Sequence, residues 1–162
     1  MLTLLILRHA KSAWDDPALA DHDRPLNGRG RKAAKKVGEL LASRSLLPSV
    51  ILASSARRVE ETISLLKETS GYAGPVQVYR RLYLAEPETY VECLNELGDS
   101  SSPVMCVGHN PGLEELVALH TSRHERLPTA ALAELRFAID DWGELSASTP
   151  ATLANLWRVK EL

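Results

Sequence analysis

Short apolar runs and helical periods take turns along this chain. Leu2 to Leu7 is apolar apart from Thr3 and stops at Arg8, which is the length of a buried strand. A polar stretch rich in Asp, Pro and Gly runs from Lys11 to Arg29. Ala33, Val37, Leu40, Leu41 and Arg44 then recur at helical spacing, with Lys32, Lys35, Lys36 and Glu39 off that face. Val50 to Ala53 reads as a second strand, and Ser54 or Ser55 as the cap of a helix carrying Val59, Ile63 and Leu66. Val76 to Val78 is a weak third strand, and Pro87 opens a helix over 87–97. Pro103 to Val107 is again a buried strand, with Asn110-Pro111 placed as N-cap and first residue of the next helix. Residues 131–138 and 152–159 alternate like strands, with a turn-rich stretch between them.

Strand alternating with helix predicts a single α/β domain with a largely parallel central sheet and helices on both faces. No crossover helix separates the last two strands, so at least one antiparallel strand is expected near the C-terminus. At 162 residues the chain can bury a substantial core, and neither a repeat nor a linker divides it.

Composition narrows the function classes. With 44% hydrophobic and 25% charged residues, the chain is no disordered or low-complexity segment. A net charge of −2 gives no global field for nucleic acid or anionic membrane, and no partner of either kind is expected. The apolar start lacks a leading basic region and is too short for a signal peptide or a membrane span. A cytoplasmic location is therefore expected. Cys93 and Cys106 fit neither a disulfide framework nor a zinc pattern, and read as plain thiols in a reducing compartment. Neither starts a Cys-x5-Arg phosphatase loop, because Asp99 and Gly112 stand six residues on.

The chemistry gathers where strands give way to helices. The first strand ends at Arg8-His9, the second leads into Ser54-Ser55-Ala56-Arg57-Arg58, and the fourth ends at Gly108-His109-Asn110-Pro111-Gly112. Ligands of open α/β sheets bind outside the carboxyl ends of the strands. If these strands are parallel neighbours, two histidines and two or three arginines converge there and repel one another unless an anion fills the gap. A phosphate also suits the free N–H groups of the helices that begin near 56 and 111.

Leu7-Arg8-His9-Ala10-Lys11-Ser12, Ser54-Ser55-x-x-Arg58-x-x-x-Thr62 and Val107-Gly108-His109-Asn110-Pro111 together resemble the histidine phosphatase, or phosphoglycerate mutase-like, superfamily. The short length, Gly108 to Gly112 and the late Leu127-Pro128-Thr129-Ala130-Ala131 resemble its SixA-type phosphohistidine phosphatase branch. The resemblance implies that His9 is a nucleophile phosphorylated on its ring, with Arg8, Arg58 and His109 on the phosphoryl oxygens. It selects Arg58 over Arg57, because the family's arginine precedes a Thr by four residues, here Thr62. Arg57 falls at i,i+4 to Glu61, an ordinary surface pair. Ala10 and Ala56 stand where many relatives carry Gly and Pro. Ser12 is either a phosphate donor or a solvated loop hydroxyl, and Glu86 either the proton donor or a solvated helix-start carboxylate. No acidic metal-binding cluster is visible, so a metal-independent mechanism without cofactor is expected.

Two patterns are set aside. Gly28-Arg29-Gly30-Arg31-Lys32-Ala33 formally fits G-x-G-x-x-A, but no strand precedes it. His120 and His124 lie at i,i+4 without an acidic ligand pattern and read as a surface pair. The basic run from Arg24 to Lys36 reads as a solvated helix face or as a guide for an acidic partner. About two dozen residues separate the third strand from the fourth, leaving little for the roof that larger relatives place over the site. The expected substrate is therefore a phosphohistidine-bearing protein, with a small phosphate ester as the alternative and a non-enzymatic phosphate-binding module as a third reading. Nothing in the sequence demands an oligomer, and a monomer would suffice.

Overall fold

The computed structural model describes residues 1–159. Six strands, β1 (Leu2–Arg8), β2 (Val50–Ser54), β3 (Val76–Tyr79), β4 (Val104–Gly108), β5 (Leu132–Phe137) and β6 (Ala151–Trp157), form one sheet in the order β3-β2-β4-β1-β5-β6. The first four strands of that order are mutually parallel, while β5 runs antiparallel to β1 and β6 antiparallel to β5. Four α-helices cover the sheet: α1 (Gly28–Ser43), α2 (Arg57–Ser70), α3 (Pro87–Leu97) and α4 (Gly112–Thr121).

Strand β1 is buried on both faces, so its run is continuously apolar rather than alternating. Leu4 and Ile6 join the core beneath α3 and α4, with Tyr90, Leu94, Leu113 and Leu116. Leu5 and Leu7 point the other way, to Val37, Leu41, Val59 and Leu66 of α1 and α2. The helix connections thus change face between β1, which feeds α1, and β4, which feeds α4. Between those two strands the chain leaves in opposite directions and opens a crevice.

Glycine sets the approach of two helices to this end of the sheet. A Cβ on Gly30 would lie 2.0 Å from the Lys11 carbonyl oxygen, so α1 can press against the loop after β1 only without a side chain there. The Asn27 N–H bonds the same carbonyl (3.0 Å), and the Asn27 side chain caps α1 by accepting from the Gly30 N–H (2.8 Å). A Cβ on Gly112 would meet the Ala85 carbonyl oxygen at 2.0 Å, which fixes the start of α4 in the same way.

Local expectations need three corrections. The N-cap of α2 is Ala56 rather than a serine, because the Ser54 hydroxyl is turned to His109 while also accepting from the Ala56 N–H. Helix α4 begins one residue late, with Pro111 itself at the N-cap and Asn110 accepting from the Glu114 N–H. His120 is buried, not at the surface: its Nδ1 donates to the Thr149 carbonyl (2.8 Å) and its ring meets Phe137 edge-on. His124 is exposed as expected. Cys93 and Cys106 are both free and buried.

Candidate active site

A cleft of about 590 Å³ opens at the carboxyl ends of β1 and β4, lined by Arg8, His9, Ser12, Arg58 and His109. Five of the six residues picked from the sequence therefore meet in one place. Their positions follow from the register. Arg8 of β1 pairs with Gly108 of β4, so His9 and His109 each stand one residue beyond a paired position on adjacent parallel strands. The His9 N–H donates to the Gly108 carbonyl (3.2 Å), and the Ala130 N–H bonds the His9 carbonyl (3.0 Å). The imidazole centroids lie 5.2 Å apart.

Hydrogen bonds assign the tautomers. His9 Nδ1 faces the Ala10 carbonyl at 2.7 Å and can only donate there, so the lone pair is on Nε2. Arg58 Nε donates to that Nε2 (3.3 Å). His109 Nδ1 accepts from Arg58 Nη2 (3.4 Å), which leaves its Nε2–H for the Ser54 hydroxyl (2.7 Å). Burial pulls the His9 pKa down to about 4; the Ala10 carbonyl is the next largest influence and works upward, and the Arg58, Arg8 and Arg24 charges each add a smaller downward pull. Burial, then His9 and Arg58, pull His109 down to about 3. Both rings are neutral at pH 7, and His9 presents an unprotonated nitrogen to the cleft.

Arg58 is held by a residue that no sequence pattern singled out. Asp21 accepts from Arg58 Nη1 through its carbonyl (2.7 Å) and from Nη2 through Oδ2 (3.0 Å). Its Oδ1 accepts from Arg24 Nε and Nη2 (3.1 and 3.0 Å), and the Tyr83 hydroxyl donates to Oδ2. Burial works to raise the Asp21 pKa, but Tyr83, Arg24 and Arg58 outweigh it and hold the carboxyl well below its usual range. Arg24, in sequence only the start of a basic run, is buried and donates to the Ser12 hydroxyl (2.5 Å). Ser12 is buried with it rather than solvated, so the open choice resolves to a hydroxyl inside the cleft. The signal for Asp21 and Arg24 was length: a long irregular segment directly after a site-bearing strand is uncommon unless it has work at the site.

Arg57 is half-exposed and pairs with Glu61 (2.8 Å), as its spacing predicts. Thr62 explains the spacing to Arg58, since its hydroxyl donates to the Arg58 carbonyl (2.7 Å) and accepts from the Ala10 N–H (3.0 Å). It ties α2 to the loop that carries His9. Arg8 donates through Nη1 to the Leu127 carbonyl (3.1 Å), and its buried Nε–H has no partner among the described residues. Glu86 is not brought in. It is the exposed N-cap of α3 and does not line the cleft. Among the described residues, no three His, Cys, Asp or Glu side chains gather as a metal-ligand set.

The family profile described as "Histidine phosphatase superfamily (branch 1)" matches residues 4–84, the stretch that carries His9, Asp21 and Arg58. The chain belongs to the histidine phosphatase superfamily. This histidine phosphatase is 36% identical to Uncharacterized protein Rv1276c of Mycobacterium tuberculosis over 160 residues, covering 90% of this chain and 95% of the relative. A solved structure from Agrobacterium tumefaciens, assigned as phosphohistidine phosphatase SixA, superposes with a TM-score of 0.80 at 29% identity, covering 96% of this chain and 97% of that one. The SixA-type resemblance read from the motifs thus extends to the whole fold. The mycobacterial glucosyl-3-phosphoglycerate phosphatase Rv2419c shares the fold with a TM-score of 0.65 at 18% identity, over 98% of this chain and 99% of that one. Membership makes this histidine phosphatase a phosphatase by family, and its arrangement of a neutral imidazole among arginines suits phosphoryl transfer.

Proposed function

We propose that this protein hydrolyses phosphohistidine on protein substrates, in two steps, through a phosphoryl group carried on Nε2 of His9. In the first step the Nε2 lone pair attacks phosphorus, the P–N bond to the substrate imidazole breaks, and its electron pair stays on that imidazole. In the second, water attacks the phosphoryl group, the P–N bond to His9 breaks, its electron pair returns to Nε2, and both water hydrogens leave with the phosphate as dihydrogen phosphate. Arg8 and Arg58 take equatorial oxygens, and His109 takes the third once the phosphoryl charge draws Arg58 away and a proton onto its Nδ1. The unpartnered Arg8 Nε–H and the Arg58 Nε–H now resting on His9 are donors an oxyanion can claim. These guanidiniums supply the charge stabilisation that a divalent ion supplies in metal phosphatases, so the mechanism runs without metal.

One observation carries the choice of substrate. Asp21 is the single carboxylate among the described residues that line the cleft, and three hydrogen-bonding neighbours keep it ionised, so it has no proton to give. An alkoxide leaving group needs such a proton, whereas an imidazole whose other nitrogen already bears one does not. The likeness to the SixA structure supports the same reading. The shared fold with a glucosyl-3-phosphoglycerate phosphatase favours a small ester as the second reading.

The test compares kcat/KM for a phosphohistidine protein, an aryl phosphate and an alkyl phosphate, each with and without EDTA. Phosphohistidine is expected first and alkyl phosphate last, unaffected by chelator, with acid-labile label trapped on His9. Faster alkyl turnover would favour the small-ester reading. Label on another residue, or EDTA inactivation reversed by metal, would refute the mechanism.

A further inference from the structure

Beside the cleft lies a second groove, of about 310 Å³, lined by Lys11, Arg29, Lys32, Lys36 and Thr129 among others. Lys11 and Thr129 line both cavities, so the groove continues the cleft. Arg29, Lys32 and Lys36 are exposed and follow one another at i, i+3 and i+7 along α1, a stripe about 10 Å long at about 1.5 Å per residue. Among the described residues, none of these four cations has a carboxylate within 4.0 Å. The charge is local. Helix α1 carries Arg29, Arg31, Lys32, Lys35 and Lys36 against Glu39 alone, on a chain whose net charge is −2.

The mechanism uses none of the α1 cations, yet they adjoin the point where the phosphoryl group enters. The cleft rim adds apolar surface: Trp14 and Leu84 line it and are 76% and 56% exposed, two of the five exposed large hydrophobics among the described residues. Open apolar surface at the cleft rim, together with cations that have no carboxylate partner among the described residues, marks a contact with a macromolecule. A straight cationic stripe on a helix complements carboxylates spaced along one face of another helix, whereas a compact small anion would engage only one end of it.

We infer that Arg29, Lys32 and Lys36, with Lys11 at the cleft edge, form the docking surface for an acidic helical face of the phosphorylated protein substrate. This rests on the phosphohistidine reading above. The stripe steers and orients the partner, and the phosphoryl group then enters beside Lys11.

The test uses synthetic helical peptides phosphorylated on one histidine with phosphoramidate, carrying either three glutamates on one face or three glutamines. At low ionic strength the glutamate peptide should show about tenfold higher kcat/KM, the lower end of the range for electrostatic steering. The gain should lie in KM and fade in 0.5 M salt, where screening shortens to a few ångströms. The double variant Lys32→Glu, Lys36→Glu should lose the preference while turning over an aryl phosphate within twofold of wild type. Equal turnover of the two peptides by wild type would overturn the docking surface and leave the phosphohistidine reading standing. So would a preference that survives in the double variant, or an equal loss on aryl phosphate. If no phosphohistidine peptide turns over, yet a dye-labelled unphosphorylated glutamate peptide binds wild type and not the variant, the docking surface stands and the phosphohistidine reading falls. Tripolyphosphate binding the stripe more tightly than the glutamate peptide would replace the protein partner with a small polyanion.

Discussion

Arg58→Ala removes a guanidinium that is 3% exposed and holds four groups on three residues: the carboxylate and carbonyl of Asp21, Nε2 of His9 and Nδ1 of His109. Two effects must be separated. Stability should fall only modestly, because Asp21 keeps Arg24 and Tyr83 and is partly open to water. Catalysis should fall far more. One preorganised donor to a developing oxyanion is worth about 2.7–4 kcal/mol, a factor of about 10² to 10³ in kcat. Arg58 offers several such donors, which places it at the upper end. Its neighbour is the internal control. The Arg57 side chain is 51% exposed and, among the described residues, bonded only to Glu61, so Arg57→Ala should cost about 0.3–0.5 kcal/mol of stability and leave the rate within about twofold. Arg58→Lys should fall between, since a lysine keeps the charge but cannot fork between Asp21 and a phosphoryl oxygen. The assay is kcat/KM on p-nitrophenyl phosphate for the three variants, with Tm recorded beside it. An equal or larger loss in Arg57→Ala, or less than a tenfold loss in Arg58→Ala, would refute the assignment.

Acid should destabilise the protein through the two cleft histidines, His9 and His109. The folded values, about 4 and 3, lie below the ordinary 6.5, so the unfolded chain binds protons that the folded site refuses. Their contribution is complete above pH 6.5 and drains away as pH falls toward 4. Tm between pH 8 and 4.5 should show this slope, shallower in His9→Gln and in saturating tungstate, whose charge favours protonated imidazoles; identical slopes in all three would sink the argument. Ser54→Ala removes the acceptor of the His109 Nε2–H and should lower kcat/KM about fivefold, the worth of roughly 1 kcal/mol for one hydrogen bond. Unchanged kcat/KM would show that the ring is held without it. Gly30→Ala puts a Cβ against backbone that has no room to yield, so urea midpoints should report about 2–3 kcal/mol of destabilisation, with activity lost as the Lys11 loop shifts. A fully active, equally stable Gly30→Ala would contradict the contact.

What the sequence revealed and what it hid have a common cause. His9, His109 and Arg58 follow buried strands or open a helix, and local pattern places such positions well. Their convergence needed only the assumption that β1, β4 and β2 are parallel neighbours, which the register confirms. Asp21, Arg24 and Tyr83 sit on irregular segments, where no periodicity says which side chain turns inward, and they meet only through the tertiary fold. Arg24 was misleading because a buried arginine and a solvated one look alike in a basic run. The serine cap failed at Ser54 for a related reason: a hydroxyl at a strand end can serve either the next helix or a neighbouring strand's histidine, and here the histidine takes it. His120 looked superficial because its partner, the Thr149 carbonyl, lies in a distant turn.

The pairing of Arg8 with Gly108 divides the site into two materials. His9, the proposed nucleophile, and His109 are anchored in the central ladder, with the His9 amide bonded to β4 and its carbonyl to Ala130. Amide protons there should exchange with solvent only when the whole molecule unfolds, whereas those around Trp14 and Leu84 should exchange through local opening. The proposed chemistry thus sits on the central ladder, and the mouth on irregular segments outside it. Loops of different length and composition could be grafted at the rim without displacing the reacting nitrogen. A scaffold partitioned in this way can change what it accepts while keeping how it cuts.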